Sequence, residues 1–259
     1  MLKRLSIFGY GLICYAVFFA TFLYAIGFVG NFLVPRAIDG EPRLYFSTAL
    51  LVDLGLLGIF AIQHSLMARP YFKEWLTQFI PASAERSTYV LFSSLALIAL
   101  FSLWQPIGGM VWNVTDPMGR GVLYVLFGFG WSLVLISTFL INHFDLFGLR
   151  QIWLQLRGKP YTPLRFGTPG PYKLIRHPLY LGWFFAFWAT PTMSVTHLVF
   201  ALATTIYILM AIRLEERDLV DALGDDYRRY RERVPMLIPS LRTQSHRGAP
   251  GRQGRSAGA

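Results

Sequence analysis

Arg176 and His177 stand directly before Pro178, in the last polar turn ahead of an apolar run, within GPYKLIRHPLYLGWFF (residues 170–185). Proline suits the first turn of a helix, where a backbone N–H has no partner to lose. His177 then falls near the N-cap. The free N–H groups of that turn, with the Arg176 guanidinium, would clamp a carboxylate or a phosphate. A plainer reading competes, in which Lys173, Arg176 and His177 anchor a membrane helix among the headgroups. Glu215 and Glu216 bear on the choice. The apolar block Leu179 to Leu214 is broken by Pro191 among Thr190, Thr192, Ser194 and Thr196. It therefore reads as a helical hairpin whose two ends share one face of the membrane. That sets the cations opposite the two carboxylates, with Tyr227 and Tyr230 a few turns beyond. Such a set suits a zwitterion carrying an aromatic base, which is the shape of S-adenosylmethionine. An ion-pair cluster that only holds the C-terminal helix to the hairpin would use the same residues.

The elements that must position these groups lie in lipid. Of 259 residues, 54% are hydrophobic, 16% aromatic and only 15% charged. Apolar runs at Leu5–Val34, Leu44–Ala68, Tyr89–Trp104 and Val122–Ile141 precede the hairpin, and a run of about 18 apolar residues spans a bilayer as a helix. The expected fold is all-α and polytopic, with about five transmembrane elements, the last a helical hairpin, and a cytoplasmic C-terminal helix. Lys3 and Arg4 precede the first run, but its apolar part far exceeds the roughly 7–15 residues of a signal-peptide core, so a retained helix is expected. The net charge of +10 reflects topology rather than nucleic-acid binding. Lys3 and Arg4, then Arg69, Lys73 and Arg86, then Arg150, Arg157, Lys159, Arg165, Lys173 and Arg176 all fall on one side, and the 105–119 loop has no Lys or Arg. By the positive-inside rule both termini are cytoplasmic, in a bacterial inner membrane. The single cysteine, Cys14, sits in an apolar run; neither a disulfide nor a metal site is read.

The chain divides into transmembrane helices at 1–141, a loop, hairpin and C-terminal helix at 142–239 that would form the site, and a disordered Gly/Arg-rich tail at 240–259. Residues 69–86 look like a short interfacial helix ending at Pro81. Leu219, Leu223, Tyr227, Tyr230 and Val234 recur at helical spacing and predict one continuous helical face. Asp53, inside LLVDLGLL, is an intramembrane carboxylate and by that fact a functional candidate; it could equally bond a polar group on a neighbouring helix.

RHPLYLGW followed after a hairpin by EERDLVDALGDDYRRYRERVPMLIP resembles the isoprenylcysteine carboxyl methyltransferase and phospholipid methyltransferase superfamily of integral membrane enzymes. The likeness covers roughly residues 170–239. Upstream, FAIQHSLMARPYFKEWLTQFIPASAERSTYVLFSSLAL (60–97) and STFLINHFDLFGLRQIW (137–153) look like the methanethiol S-methyltransferase subgroup, beside NnrU-like proteins. The resemblance implies S-adenosylmethionine as cofactor, held by Arg176, His177, Pro178, Tyr180, Gly182, Glu215, Glu216, Tyr227 and Tyr230. It implies a small volatile thiol as substrate. A thiol attacks as its thiolate, so a base is needed. His143 and Asp145, as a His–carboxylate pair in INHFDLFG, and His64, at similar depth, are the catalytic candidates. Arg150 would pair with Asp145 or with the cofactor. Other readings keep the fold and change the acceptor to an isoprenylcysteine carboxylate, a phospholipid amine, or another thiol or selenol. A sterol-reductase-like enzyme would need a nicotinamide nucleotide. A haem protein would use His64 and His143 as axial ligands, and a transporter would show repeats, of which none is visible.

Overall fold

The computed structural model of the chain describes residues 1–164 and 167–239; the tail expected at 240–259 and Arg165 lie outside the described residues. Helix α1 (Leu2–Gly30) ends at Asn31 in the left-handed conformation, a common helix stop. It is followed by α2 (Phe46–Met67), the short α3 (Pro70–Leu76), α4 (Ala82–Leu103) and, after strand β1 (Met110–Asn113), by α5 (Pro117–Ile141). Asp116 caps α5 by accepting from the Gly119 N–H at 2.7 Å, with Pro117 in the first turn. The 142–178 loop carries two short helices, α6 (His143–Leu146) and α7 (Leu149–Leu156), and a 3-10 turn at Gly170–Lys173. Then come α8 (Pro178–Trp188), strand β2 (Thr192–Ser194), α9 (Val195–Leu223) and α10 (Asp225–Arg233).

Five of these helices, α1, α2, α4, α5 and α9, are long and apolar enough to cross a membrane. Large side chains such as Leu12, Ile13, Leu51, Ile59, Val125 and Ile206 stay exposed on their outer faces, as lipid-facing positions require. The chain is an integral membrane protein.

The hairpin is present but unequal. Its first arm, α8, has 11 residues, roughly 16 Å at 1.5 Å per residue, against 29 residues in α9. Trp188 Nε1 donates to Thr205 Oγ1 at 2.9 Å, placing the end of α8 beside the middle of α9. Extended chain from Ala189 completes the arm and enters β2, which pairs antiparallel with β1 (Met110 opposite Ser194, Asn113 opposite Thr192). Non-helical backbone at membrane depth must be satisfied by protein. Here Trp112 Nε1 donates to Thr190 O, Val114 N to Pro191 O, and His197 Nε2 to Phe187 O. Ser194 then caps α9 by accepting from His197 N at 2.9 Å.

Helix α8 packs on α5 at very short range. A Cβ at Gly182 would lie 2.8 Å from Gly130 O and 2.8 Å from Val134 N, and one at Gly130 would lie 2.5 Å from Ala186 N. Only glycine on both helices permits this approach. Behind it Phe28, Phe101, Trp104, Trp131, Phe187 and Phe200 form the main apolar core.

Two expectations need correction. The continuous face from Leu219 to Val234 does not exist, because Gly224, at φ 57°, ends α9 and α10 starts in a new direction. Glu215 and Glu216 accordingly lie within α9, which runs unbroken past them. The interfacial helix expected to end at Pro81 is α3 and stops at Leu76, and α4 begins at Ala82, seven residues before the apolar run, because Pro81 rather than hydropathy sets its start.

Candidate active site

The turn before α8 is held from three directions. Arg176 Nε donates to Glu216 Oε1 at 2.7 Å, and its Nη1 donates to the carbonyls of Arg231 at 2.8 Å and Val234 at 2.6 Å. His177 Nε2 meets the same Glu216 oxygen at 3.0 Å. Behind them the Arg176 and His177 N–H groups donate to Pro235 O and Met236 O. The two ends of the hairpin are thus tied together and the segment after α10 is laid across them. Both ion-pair side chains are largely withdrawn from solvent, 11% exposed for Arg176 and 13% for Glu216. Arg176 Nη2 keeps no partner among the described residues. His177 makes no side-chain cap, and Pro178 has no N–H, so the Leu179 and Tyr180 N–H groups open the helix uncapped. One guanidinium arm and a bare helix N-terminus fit a carboxylate.

Glu215 differs from its neighbour. It is exposed and accepts from the Tyr180 hydroxyl at 2.9 Å. Tyr172, in the 3-10 turn, lies within electrostatic reach of Glu215 and Tyr230, and its carbonyl accepts from Tyr230 OH at 2.6 Å. Tyr227 is fully buried, its ring 5.7 Å from that of Tyr230. Burial, with Glu215 adding to it, pushes the Tyr172 phenol up. Burial likewise raises Tyr227, with Glu216 adding to it. Burial pushes Tyr230 up to about 12. All three remain neutral donors at any physiological pH. A carboxylate at the mouth and neutral phenols around it suit an ammonium or a ribose diol beside an aromatic base. Pro178 and Gly182 serve α8 itself, Pro178 buried in its first turn and Gly182 against α5.

The sequence also pointed to His143 and Asp145 as a pair, and the structure separates them. His143 Nε2 meets Tyr15 OH and Nδ1 meets Thr138 Oγ1, each at 2.8 Å, and the ring stacks on Phe139 at 4.2 Å. Burial holds its imidazole below the usual range. Asp145 instead accepts from Arg150 Nη1 at 2.9 Å and Tyr161 OH at 3.2 Å, the first of the two roles expected for Arg150. The two histidines do not meet across the helices either. His64 Nε2 lies 2.8 Å from Tyr89 OH, its Nδ1 lies 3.1 Å from Ser93 Oγ, and its ring stacks on Phe60. Asp53 is fully buried and accepts from the Gln105 N–H at 2.9 Å, tying α2 to the end of α4.

Tyr172, Tyr89 and Tyr207 escaped the sequence reading. Tyr207 OH shares a hydrogen bond with Ser65 Oγ at 3.2 Å, and Tyr180 stands within electrostatic reach of both Tyr207 and Tyr89. For Tyr89 and Tyr207 the available signal was a phenol inside an apolar span, since a buried Tyr hydroxyl needs a partner; Tyr172, in the polar GPYK turn, carried no such signal.

No family model matches the chain, and no solved structure does. Named relatives do. A methanethiol S-methyltransferase of Crocosphaera subtropica is 56% identical over 244 residues, 94% of this chain and 96% of that one. Another, of Mycobacterium tuberculosis, is 52% identical over 238 residues, 92% and 98% of the two chains. More distantly, Nurim of Bos taurus is 32% identical over 179 residues, 66% of this chain and 68% of that protein. With the first two aligned over nearly their whole length, the chain belongs to the methanethiol S-methyltransferase family.

Proposed function

We propose that the chain transfers a methyl group from S-adenosylmethionine to methanethiol, giving dimethyl sulfide, at the face of the membrane where α8 begins and α9 ends. The observation that carries this reading is the pairing of Arg176 and His177 with Glu216 beside an exposed Glu215 held by Tyr180. The names of the relatives add the acceptor. Bound here, S-adenosylmethionine supplies a methyl group on a positively charged sulfur.

The chain's own residues divide the remaining work. Glu216, His177 and Arg176 fix the turn, and Pro178, Gly182 and Tyr227 fix the elements around it. Arg176 Nη2 and the first N–H groups of α8 take the cofactor carboxylate. Glu215, Tyr180 and Tyr230 receive its ammonium and hydroxyls. His64, His143 and Asp145 are the candidate bases for the thiol proton. Methanethiol is small and apolar and reaches the site from lipid. Holding thiol and methyl group in line supplies most of the acceleration, since well-oriented pairs gain about 7–11 kcal/mol. The Lys and Arg residues between α2 and α4, and between α5 and α8, support a cytoplasmic position for this face and both termini, in a bacterial inner membrane.

The test uses purified protein in detergent, methyl-labelled S-adenosylmethionine and methanethiol, with the headspace assayed for labelled dimethyl sulfide. Labelled product is expected, and Glu215→Ala should lower it at least tenfold through weaker cofactor binding. Cofactor binding without product would remove methanethiol as acceptor. No cofactor binding would leave the Arg176 turn as a membrane anchor.

A further inference from the structure

An aromatic box lies about two helical turns inside the membrane from the Glu215–Tyr180 contact. Three helices build it. From α2 come Phe60, His64 and Ser65; from α4, Tyr89 and Ser93; from α9, Tyr207. Phe60 stacks on His64 with ring centres 5.2 Å apart and meets the Tyr207 ring edge-on at 6.3 Å. The His64 and Tyr89 rings lie 5.1 Å apart. The polar atoms turn inward onto one another: Tyr89 OH lies 2.8 Å from His64 Nε2 and 3.1 Å from its Nδ1, and Tyr207 OH lies on Ser65 Oγ. Tyr89 and Tyr207 are within electrostatic reach of each other and of Tyr180, which separates the box from Glu215. Tyr207 precedes Glu215 by eight residues on one helix, about 12 Å at 1.5 Å per residue. That depth suits an apolar one-carbon thiol rather than a charged cofactor.

We infer that this box is the acceptor site of the proposed methyl transfer, on which reading it rests, and that Tyr89 touches the thiol and relays its proton to His64. His143 stands outside the box, its ring nitrogens on Tyr15 and Thr138 and the residue only 2% exposed. Asp145 is held by Arg150 and Tyr161. The relay uses the tautomer in which His64 donates from Nδ1 to Ser93 Oγ, 3.1 Å away, and keeps Nε2 as the acceptor toward Tyr89. The thiol S–H proton passes to the Tyr89 oxygen while the Tyr89 O–H proton passes to Nε2. The thiol sulfur's electron pair forms the new S–C bond, the methyl carbon's bond to the donor sulfur breaks, and that pair stays on the donor sulfur. One proton per turnover then leaves His64 for water. Arg86 is the nearest cation, its guanidinium carbon 5.0 Å from the centre of the Tyr89 ring and its Nε on Leu146 O. There it holds the ring of the relay in place.

Acceptor acidity tests the relay. Ethanethiol and 2,2,2-trifluoroethanethiol are close in size, but the second is much the stronger acid, is largely ionised at mildly alkaline pH, where the comparison is made, and there needs no base. In Tyr89→Phe and in His64→Gln, kcat with ethanethiol should fall about 100-fold, the range of a lost general base. With trifluoroethanethiol it should fall less than fivefold, and binding of labelled S-adenosylmethionine should be unchanged. Equal losses with both thiols, or no loss with either, would overturn the relay. Wild-type protein that binds no S-adenosylmethionine would overturn the underlying reading instead. If one variant fails to fold, the other carries the same comparison.

Discussion

Glu216 accepts from both Arg176 and His177 in a largely enclosed site, whereas Glu215, one residue earlier, is exposed with one bond from Tyr180. Removing one partner of an enclosed ion pair strands the other charge, a loss of about 3 kcal/mol. Glu216→Ala is therefore expected to lower the thermal midpoint of the detergent-solubilised protein by several degrees, whereas Glu215→Ala should leave the midpoint alone and weaken cofactor binding. Equal midpoints would show that the Arg176 turn is held by its carbonyl contacts without the carboxylate. His143 gives a prediction in pH. Burial depresses its folded-state pKa, so the unfolded chain binds a proton that the folded chain refuses. Stability is then lost as pH falls below the ordinary histidine value of about 6.5 and is unaffected above it. The slope of the midpoint between pH 7 and 5 should flatten in His143→Asn. RHP and EE were legible in the sequence because the apolar hairpin between them returns both to one membrane face and because their combination resembles a known superfamily. The division of labour between the two glutamates was not, since it depends on which face of α9 meets Arg176.

Helix α8 is the element on which the site depends, and its position is set by Gly182 and Gly130. Sequence reading took Gly182 as part of a cofactor motif. In the fold it lies where a Cβ would drive into Gly130 O and the Val134 backbone. Over-packing such a contact costs about 1–3 kcal/mol. Gly182→Ala should therefore destabilise the protein and also weaken cofactor binding, because His177 and Tyr180 travel with α8. Gly55→Ala on α2, where nothing lies within 4 Å of the added carbon, should do neither. Thermal unfolding and labelled-cofactor binding on the two variants separate the cases. The break of the hairpin at Pro191 was readable from the sequence, but the shortness of α8 was not. FFAFWAT continues the apolar pattern past Trp188. What ends the helix is a set of distant partners, Trp112 on Thr190 O and His197 on Phe187 O, which give the backbone an alternative to helix.

Across the whole molecule the number of crossings decides where the termini lie. Five long helices alone would put the N-terminus and the end of α9 on opposite faces. The contacts require otherwise. At one face Arg4 lies against Gly158, Arg86 bonds Leu146 O, Arg69 pairs with Asp218 and Arg176 pairs with Glu216. At the other, Trp104 Nε1 bonds Ile38 O, Ile107 N bonds Thr196 Oγ1, and β1 pairs with β2. Helix α8 with the extended stretch to Ser194 must therefore act as a sixth crossing. Its 11 helical residues give roughly 16 Å and its six extended residues roughly 20 Å, against a hydrocarbon core of about 30 Å. An even number of crossings returns the chain to its starting face, in agreement with the charge asymmetry. Cysteine labelling in intact cells checks this in a background with Cys14, which is buried, replaced by alanine. Thr115→Cys, in the exposed turn after β1, should react with a membrane-impermeant maleimide added outside. Glu74→Cys, exposed on α3, and Asp226→Cys, exposed on α10, should react only after permeabilisation. Labelling of Glu74→Cys and Asp226→Cys from opposite sides would mean that α8 does not cross. It would also dismantle the site, because Arg176 and Glu216 could not then share a face.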